Sequence, residues 1–248
     1  MKFGCRVVSY AFEAQEPICI PPGKAGNMLR GAFGLLPDIA SIFRPAPAEP
    51  SGLKDPPRPF VFRASHLDGH NIKPGERFHF EVHLFDRKIP ADTFSAIWSN
   101  RAKFLALEIE KVEIDFHPEP ATTAIVKFLT PTELKPAGDP EFKILIARCR
   151  DRVSTLRALY GPGPLPIKFR ELTQQAEQVR MVDLDLKFVH FERTSSRTGE
   201  THPIGGFTGI ARYEGHLDEF VPYLRSAEYT GVGRHTVWGK GVIAVEIS

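Results

Sequence analysis

Cysteine is scarce in this chain. Its three copies, Cys5, Cys19 and Cys149, are odd in number and are not spaced as metal pairs. A disulfide framework and a zinc site are therefore not expected, and a reducing, cytoplasmic setting is. No apolar run reaches the ~18 residues that a membrane helix needs, and the N-terminus has no signal-peptide pattern, so no membrane partner is expected. A strong excess of one charge is missing too, since the formal net charge is +2. Residues 1–124 carry 15 Lys/Arg against 15 Asp/Glu, and residues 125–248 carry 17 against 15. A polyanionic partner would have to be met by local clusters, because bulk charge does not announce one. Histidine is absent from residues 15–65, although the chain has nine.

What is present is ordinary globular composition, with 42% hydrophobic and 25% charged residues. A strand is expected over 2–14 (KFGCRVVSYAFEA) and a short helix over 24–36, after the turn Pro21-Pro22-Gly23. Residues 37–59 hold seven prolines and cannot form a regular element. Strands follow at 60–64 and 76–85, the second alternating cleanly with Phe78, Phe80, Val82 and Leu84 on one face. A helix over about 91–106 and a strand over 111–117 complete a β-α-β-β-α-β order. The second half repeats it. A strand at 124–130 precedes a helix at 142–161, which Gly161-Pro162-Gly163-Pro164 stops. An extra short helix is expected at 168–178, strands at 184–195 and 207–215, a helix at 217–228 and a last strand at 242–248. Two such units in tandem predict an α+β protein of two ferredoxin-like domains, residues 1–120 and 121–248.

The segment GVGRHTVWGKG, residues 231–241, concentrates four glycines with Arg234, His235 and Lys240. It feeds a strand and does not open a helix, so it is not a dinucleotide fingerprint, and its spacing is wrong for a Walker loop. Two readings remain. One is a hairpin that uses glycine for positive φ angles. The other is a nest in which Gly231, Gly233, Gly239 and Gly241 let backbone amides approach a phosphate beside Arg234, Thr236 and Lys240. A second segment, FERTSSRTGETHPIGGFTG (191–209), sets Arg193, Ser195, Ser196 and Arg197 near His202, all phosphate-friendly groups. Alone it reads as a solvated hairpin; with the loop it reads as the second side of one groove.

The order of four pieces resembles the CRISPR-associated repeat-specific endoribonucleases of the RAMP superfamily. They are RDRVSTLRALYG with PLPIKFREL (151–172), FERTSSRTG (191–199), PIGGFTGIARYEG (203–215) and LRSAEYTGVGRHTVWGKG (224–241). LRGAFG (29–34), which carries Arg30, and the segment 59–85 look like the family more loosely. The resemblance implies two ferredoxin-like domains, CRISPR repeat RNA as partner, and no cofactor or metal. It also implies a reaction in which the ribose 2′-hydroxyl attacks the adjacent phosphate, leaving 2′,3′-cyclic phosphate and 5′-hydroxyl ends. The alternative within the superfamily is a non-catalytic RNA-binding subunit of a CRISPR effector complex.

Two departures stand out. Family members often carry a general-base histidine on or after the first helix, where this chain offers Lys24, Arg30 and Arg44. Many also carry a cysteine cluster after LRGAFG that is missing here. Lys24, His202 and His235 are then the chemical candidates. His79 and His83 share the polar face of a strand with Glu81 and are expected to be solvated. His66 follows a strand into a loop, from which the inter-domain cleft is within reach. Trp238 and Tyr229 flank the glycine loop, for base stacking or for packing beneath it. Arg148, Arg150, Arg152 and Arg157 lie along one helix, and Arg150 and Arg157, a heptad apart, are the pair that could line a groove.

Overall fold

The computed structural model describes residues 1–34, 36, 39–43, 56–189, 192–194, 201–203 and 205–248. The N-terminal half contains β1 (Lys2–Ala14), β2 (Ile18–Cys19), α1 (Ala25–Phe33), α2 (Ala40–Phe43), β3 (Phe60–Arg63), β4 (Asn71–Ile72), β5 (Arg77–Leu84) and β6 (Ala102–Asp115). The C-terminal half contains β7 (Thr123–Thr132), α3 (Phe142–Tyr160), α4 (Phe169–Ala176), β8 (Arg180–Val189), β9 (Glu192–Thr194), β10 (Thr201–Pro203), β11 (Gly206–Glu214), α5 (Val221–Thr230) and β12 (Ile243–Ile247). The two main sheets run β3-β5-β1-β6 and β12-β7-β11-β8, all antiparallel. In each, the first and third main strands pair at the centre, with the fourth and second at the edges. That is the ferredoxin-like order, twice, in an α+β chain.

Alternation explains the sheets. The Phe78, Phe80, Val82 and Leu84 face of β5 is buried, and it meets the Tyr10 and Phe12 face of β1 in register. Phe12 stacks on Phe80 and Phe78, with centroids 5.5 and 5.6 Å apart. On the helix side, α1 buries Ala25, Leu29 and Phe33, spaced by one turn. The Asp68 carboxylate accepts the Ala25 N–H at 2.8 Å, satisfying one of the orphan donors at the start of that helix. In the second half, α3 buries Leu145, Ile146, Cys149 and Val153 against β7 and β11 residues such as Val126 and Ala211.

Several elements differ from the sequence reading. The proline-rich stretch 37–59, expected to hold no regular element, contains the one-turn helix α2, Ala40–Phe43, between Pro37 and Pro45. The helix expected over 91–106 is one 3₁₀ turn, Ala91–Phe94, and β6 starts already at Ala102. The chain reverses at Trp98 (φ 60°), whose carbonyl accepts from Arg101 and Ala102. The 13-residue β1 offers an edge along which 102–115 can pair, and Phe104 then packs edge-on against Phe12. That tertiary pairing overrides a helical apolar pattern. The strand expected over 184–195 is two strands, β8 and β9. The last helix begins at Val221 with Pro222 in its first turn, where a missing N–H costs nothing. Among the described residues no helix is long and apolar enough to cross a membrane.

The halves are tied by the C-terminus of α5. Arg63 of β3 donates to the Glu228 and Tyr229 carbonyls, both at 3.0 Å. His83 Nδ1 reaches the Tyr229 carbonyl at 2.9 Å, and Arg152 Nε donates to the Thr230 carbonyl at 2.8 Å. Cations at this end complement the helix dipole and satisfy carbonyls that the helix itself cannot. His83 is thus buried and structural, unlike the solvated residue expected from alternation. Burial lowers its pKa, against the opposing pull of Glu81.

Candidate nucleic-acid interface

Directly after that bonded helix end comes the glycine loop. Gly231 (φ 71°), Gly233 (81°), Gly239 (72°) and Gly241 (66°) all adopt left-handed conformations. Their first use is close approach to the protein itself. A Cβ at Gly233 would overlap the Glu133 carbonyl, and one at Gly241 the Val232 carbonyl. The Arg234 N–H donates to Glu133 O at 3.0 Å, the Gly241 N–H to Pro131 O at 3.1 Å, and the Val242 N–H to Thr130 Oγ1 at 2.9 Å. The loop is therefore strapped to the end of β7, with Gly231, Thr236, Gly239, Lys240 and Gly241 buried and Arg234 exposed.

His235 also sits in the left-handed region, at φ 61°. A non-glycine residue there carries strain of order 1 kcal/mol. Its ring lies parallel to Trp238, centroids 4.6 Å apart, and the Arg30 guanidinium lies 5.0 Å over the same indole. Trp238 thus packs between the loop and α1. Gly26 of α1 is essential to this docking, because a Cβ there would overlap the Trp238 carbonyl.

Lys240 crosses the other way. It is buried, and its ammonium donates to the Gly23 carbonyl of the N-terminal half at 3.4 Å. Burial lowers its pKa; Asp68 pulls it back up and the nearby Lys24 lowers it further. These residues edge a cleft of about 420 Å³ between the halves. Gly23, Gly26, Ser65, His66 and Asp68 line one side; Thr130, Thr208 and Trp238–Lys240 line the other. The sequence reading left His66 aside as a loop residue within reach of this cleft, and the structure puts it on the wall. Its Nε2 lies 2.9 Å from the His79 carbonyl and its ring stacks on His79 at 4.6 Å. A carbonyl only accepts, so the neutral ring carries its proton on Nε2 and leaves Nδ1 as a base.

Of the other expected site residues, Arg193 and His202 stand opposite each other in the paired strands β9 and β10. Ser195, Ser196 and Arg197 lie outside the described residues. Arg234 pairs with Glu133 at 2.8 Å, and His235 Nε2 lies 3.9 Å from the same carboxylate. Along α3, Arg150 is buried over the Phe169 ring and paired with Asp151 at 2.7 Å. Arg157 donates to the Lys2, Gly163 and Pro164 carbonyls. Arg150 is taken up inside the fold, whereas Arg157, besides bracing these carbonyls, edges a separate hollow of about 380 Å³ with Lys2, Arg87 and Glu113, away from the glycine loop. Among the described residues no group of three His, Cys, Asp or Glu is placed to hold a metal ion.

Residues 126–243 match the model of the CRISPR-associated endoribonuclease Cas6 family. No curated protein sequence matches the chain. Among solved structures, a Thermus thermophilus Cas6 is similar with a TM-score of 0.60 at 15% identity, covering 98% of each chain. The same Cas6 in a product complex gives 0.62 at 16% identity, covering 98% of this chain and 100% of that one. A chain of a partial Cas6-RT-Cas1–Cas2 complex gives 0.63 at 10% identity, covering 99% of this chain and 46% of that one. At these identities the likeness is one of fold.

Proposed function

We propose that this chain, whose C-terminal half belongs to the CRISPR-associated endoribonuclease Cas6 family by its match over 126–243, binds CRISPR repeat RNA and cuts it once per repeat. The observation that carries the reading is that Lys240 and His66 line one inter-domain cleft beside the glycine loop, with Lys24 near enough to Lys240 to act on its charge. RNA would lie across that cleft, with Arg30, Arg193, Arg197 and Arg234 as further phosphate partners. On this reading the reaction belongs to the cytoplasm, and other CRISPR proteins are the partners to expect once the guide is released.

The chemistry needs no group beyond the chain. His66 Nδ1 takes the proton of the ribose 2′-hydroxyl, whose oxygen attacks the adjacent phosphorus. The P–O5′ bond breaks as the new bond forms, giving a 2′,3′-cyclic phosphate. Lys24 and Lys240 stabilise the charge that gathers on the phosphate oxygens, and an ammonium proton passes to the leaving O5′. Lys240 suits that step because burial makes its proton easier to give up. In a desolvated site, fixed cations aimed at developing charge supply the largest share of rate.

The test is a transcript of several cognate repeats. The reading predicts a ladder of repeat-length products with cyclic phosphate ends. Tight binding without a ladder would favour the non-catalytic subunit, a reading that the histidine-free stretch 15–65 keeps in view.

A further inference from the structure

The glycine loop borders a second cleft. Its last part, Trp238–Lys240, lines the inter-domain cleft described above, whereas Gly233 and Arg234 line another of about 420 Å³. The end of β7 divides in the same way: Leu129–Pro131 face the first cleft, Glu133 and Lys135 the second. The far wall is α3, through Arg148, Asp151 and Arg152. Arg148 and Arg152 are one helical turn apart and project from a common face.

Four cations, Lys135, Arg148, Arg152 and Arg234, meet two carboxylates there, and the carboxylates are largely committed. Glu133 holds Arg234 at 2.8 Å. Asp151 takes two bonds from Arg150, at 2.7 and 3.0 Å, and lies 3.9 Å from Arg148. Two nitrogens, Arg148 Nε and Arg152 Nη2, are shut off from solvent and have no hydrogen-bond partner. Those two atoms lie behind the surface, but the Arg148 side chain is 41% exposed, so the rest of its planar fork faces the cleft, and such a fork fits a phosphate or a carboxylate. Burial, with Arg63 nearby, pushes the Arg152 pKa down to about 9, as expected for a cation lacking its counter-ion.

We infer that this second cleft holds a backbone phosphate of the bound RNA, with Arg148 and Lys135 donating to its oxygens and the charge of Arg152 behind them. The inference rests on the RNA-binding reading proposed above. A polymer is favoured over a free anion because one loop and one strand end wall both clefts, so a strand crossing the loop meets each in turn.

The experiment uses the full chain with Lys135→Ala and Arg148→Ala combined. Arg152 is kept because its Nε bonds the Thr230 carbonyl. Affinity for the cognate repeat RNA is followed from 50 to 300 mM salt, and melting is followed with and without inorganic phosphate at constant ionic strength. The expected result is a Kd about tenfold weaker, with a salt dependence shallower by about 0.7 to 1.4 in log–log slope, one to two contacts' worth for a single strand. The single variants Lys135→Gln and Arg148→Gln, each with a smaller loss, guard against a misfolded double variant. Wild-type binding matched by the variants in both Kd and slope overturns the inference alone. No binding by the wild type overturns the functional reading with it. A phosphate-induced rise in Tm that the variant loses, with RNA binding intact, assigns the cleft to a free anion and equally overturns it.

Discussion

Gly26 and Trp238, 212 positions apart in the chain, touch so closely that a single methyl group would not fit between them: a Cβ on Gly26 would overlap the Trp238 carbonyl. Through this contact α1 of the first domain seats the glycine loop of the second. The loop's position, and with it both clefts, depends on an absent side chain.

Gly26→Ala should therefore behave against its usual sign. Inside a helix the change ordinarily stabilises by about 0.5–1 kcal/mol. Here the overlap with backbone should cost about 1–3 kcal/mol, lowering Tm by several degrees and weakening RNA binding. Gly31, whose Cβ would meet nothing within 4 Å, is the control and should show the ordinary gain. A Gly26→Ala protein as stable as Gly31→Ala would refute the close seating of the loop.

Lys240 links stability to pH. Its folded pKa lies below the usual lysine value of 10.5, so between the two the unfolded chain holds more protons. The cost of burying the ammonium is fully present below the folded pKa and disappears as pH rises towards 10.5. Lys240→Met should hence match or exceed wild-type stability at pH 7, with the margin shrinking at alkaline pH, while cleavage falls. Urea titrations at pH 7 and pH 10 give the comparison; a margin that grows with pH would contradict the assignment.

His66→Ala should slow single-turnover cleavage by about 10²–10⁴, the usual worth of a general base, and leave RNA affinity nearly unchanged. His235→Ala, at a ring stacked on Trp238, should affect binding more than rate. If both variants cut at the wild-type rate, the base is neither of them and Lys24 or His202 becomes the residue to test.

Arg63 joins the domains. Burial pushes its pKa down to about 10, leaving it charged at neutral pH. Arg63→Ala strips two α5 carbonyls of their donor and should cost about 3 kcal/mol. Arg63→Lys should recover only part, because one ammonium cannot copy the guanidinium fork. Chemical denaturation of both variants checks this, and a loss under 1 kcal/mol for the alanine variant would contradict it.

Period-two alternation and stop signals made most of the fold legible. Phe78 to Leu84 announced β5, and Gly161 to Pro164 ended α3 where expected. The failures occurred where tertiary pairing outweighed local pattern, as in 102–106, which reads as helix until β1 is beside it. Candidate site residues can be picked from the sequence by type, but their place in the fold cannot. The sequence offers Lys240 with the glycine loop and Lys24 where the family often has a histidine, but nothing local tells that Lys24 is near enough to act on the charge of Lys240. His66 was hidden by its loop, since only the inter-domain geometry turns it to the cleft. Arg148 and Arg152 were passed over for Arg150 and Arg157, because helical spacing identifies a shared face without saying which face is open. The glycines of the loop were readable as conformational necessities; that their closest neighbours are the protein's own carbonyls was not.

The central claim is that the chain itself directs a 2′-hydroxyl at the adjacent phosphate. The most direct measurement is single-turnover cleavage in excess EDTA of two cognate repeat RNAs, identical except for a 2′-deoxy sugar just before the cut, with binding followed for both. The account predicts cleavage of the first, none of the second, and equal affinity for the two. Cutting of the deoxy substrate, or loss of cutting in EDTA with binding retained, would contradict it.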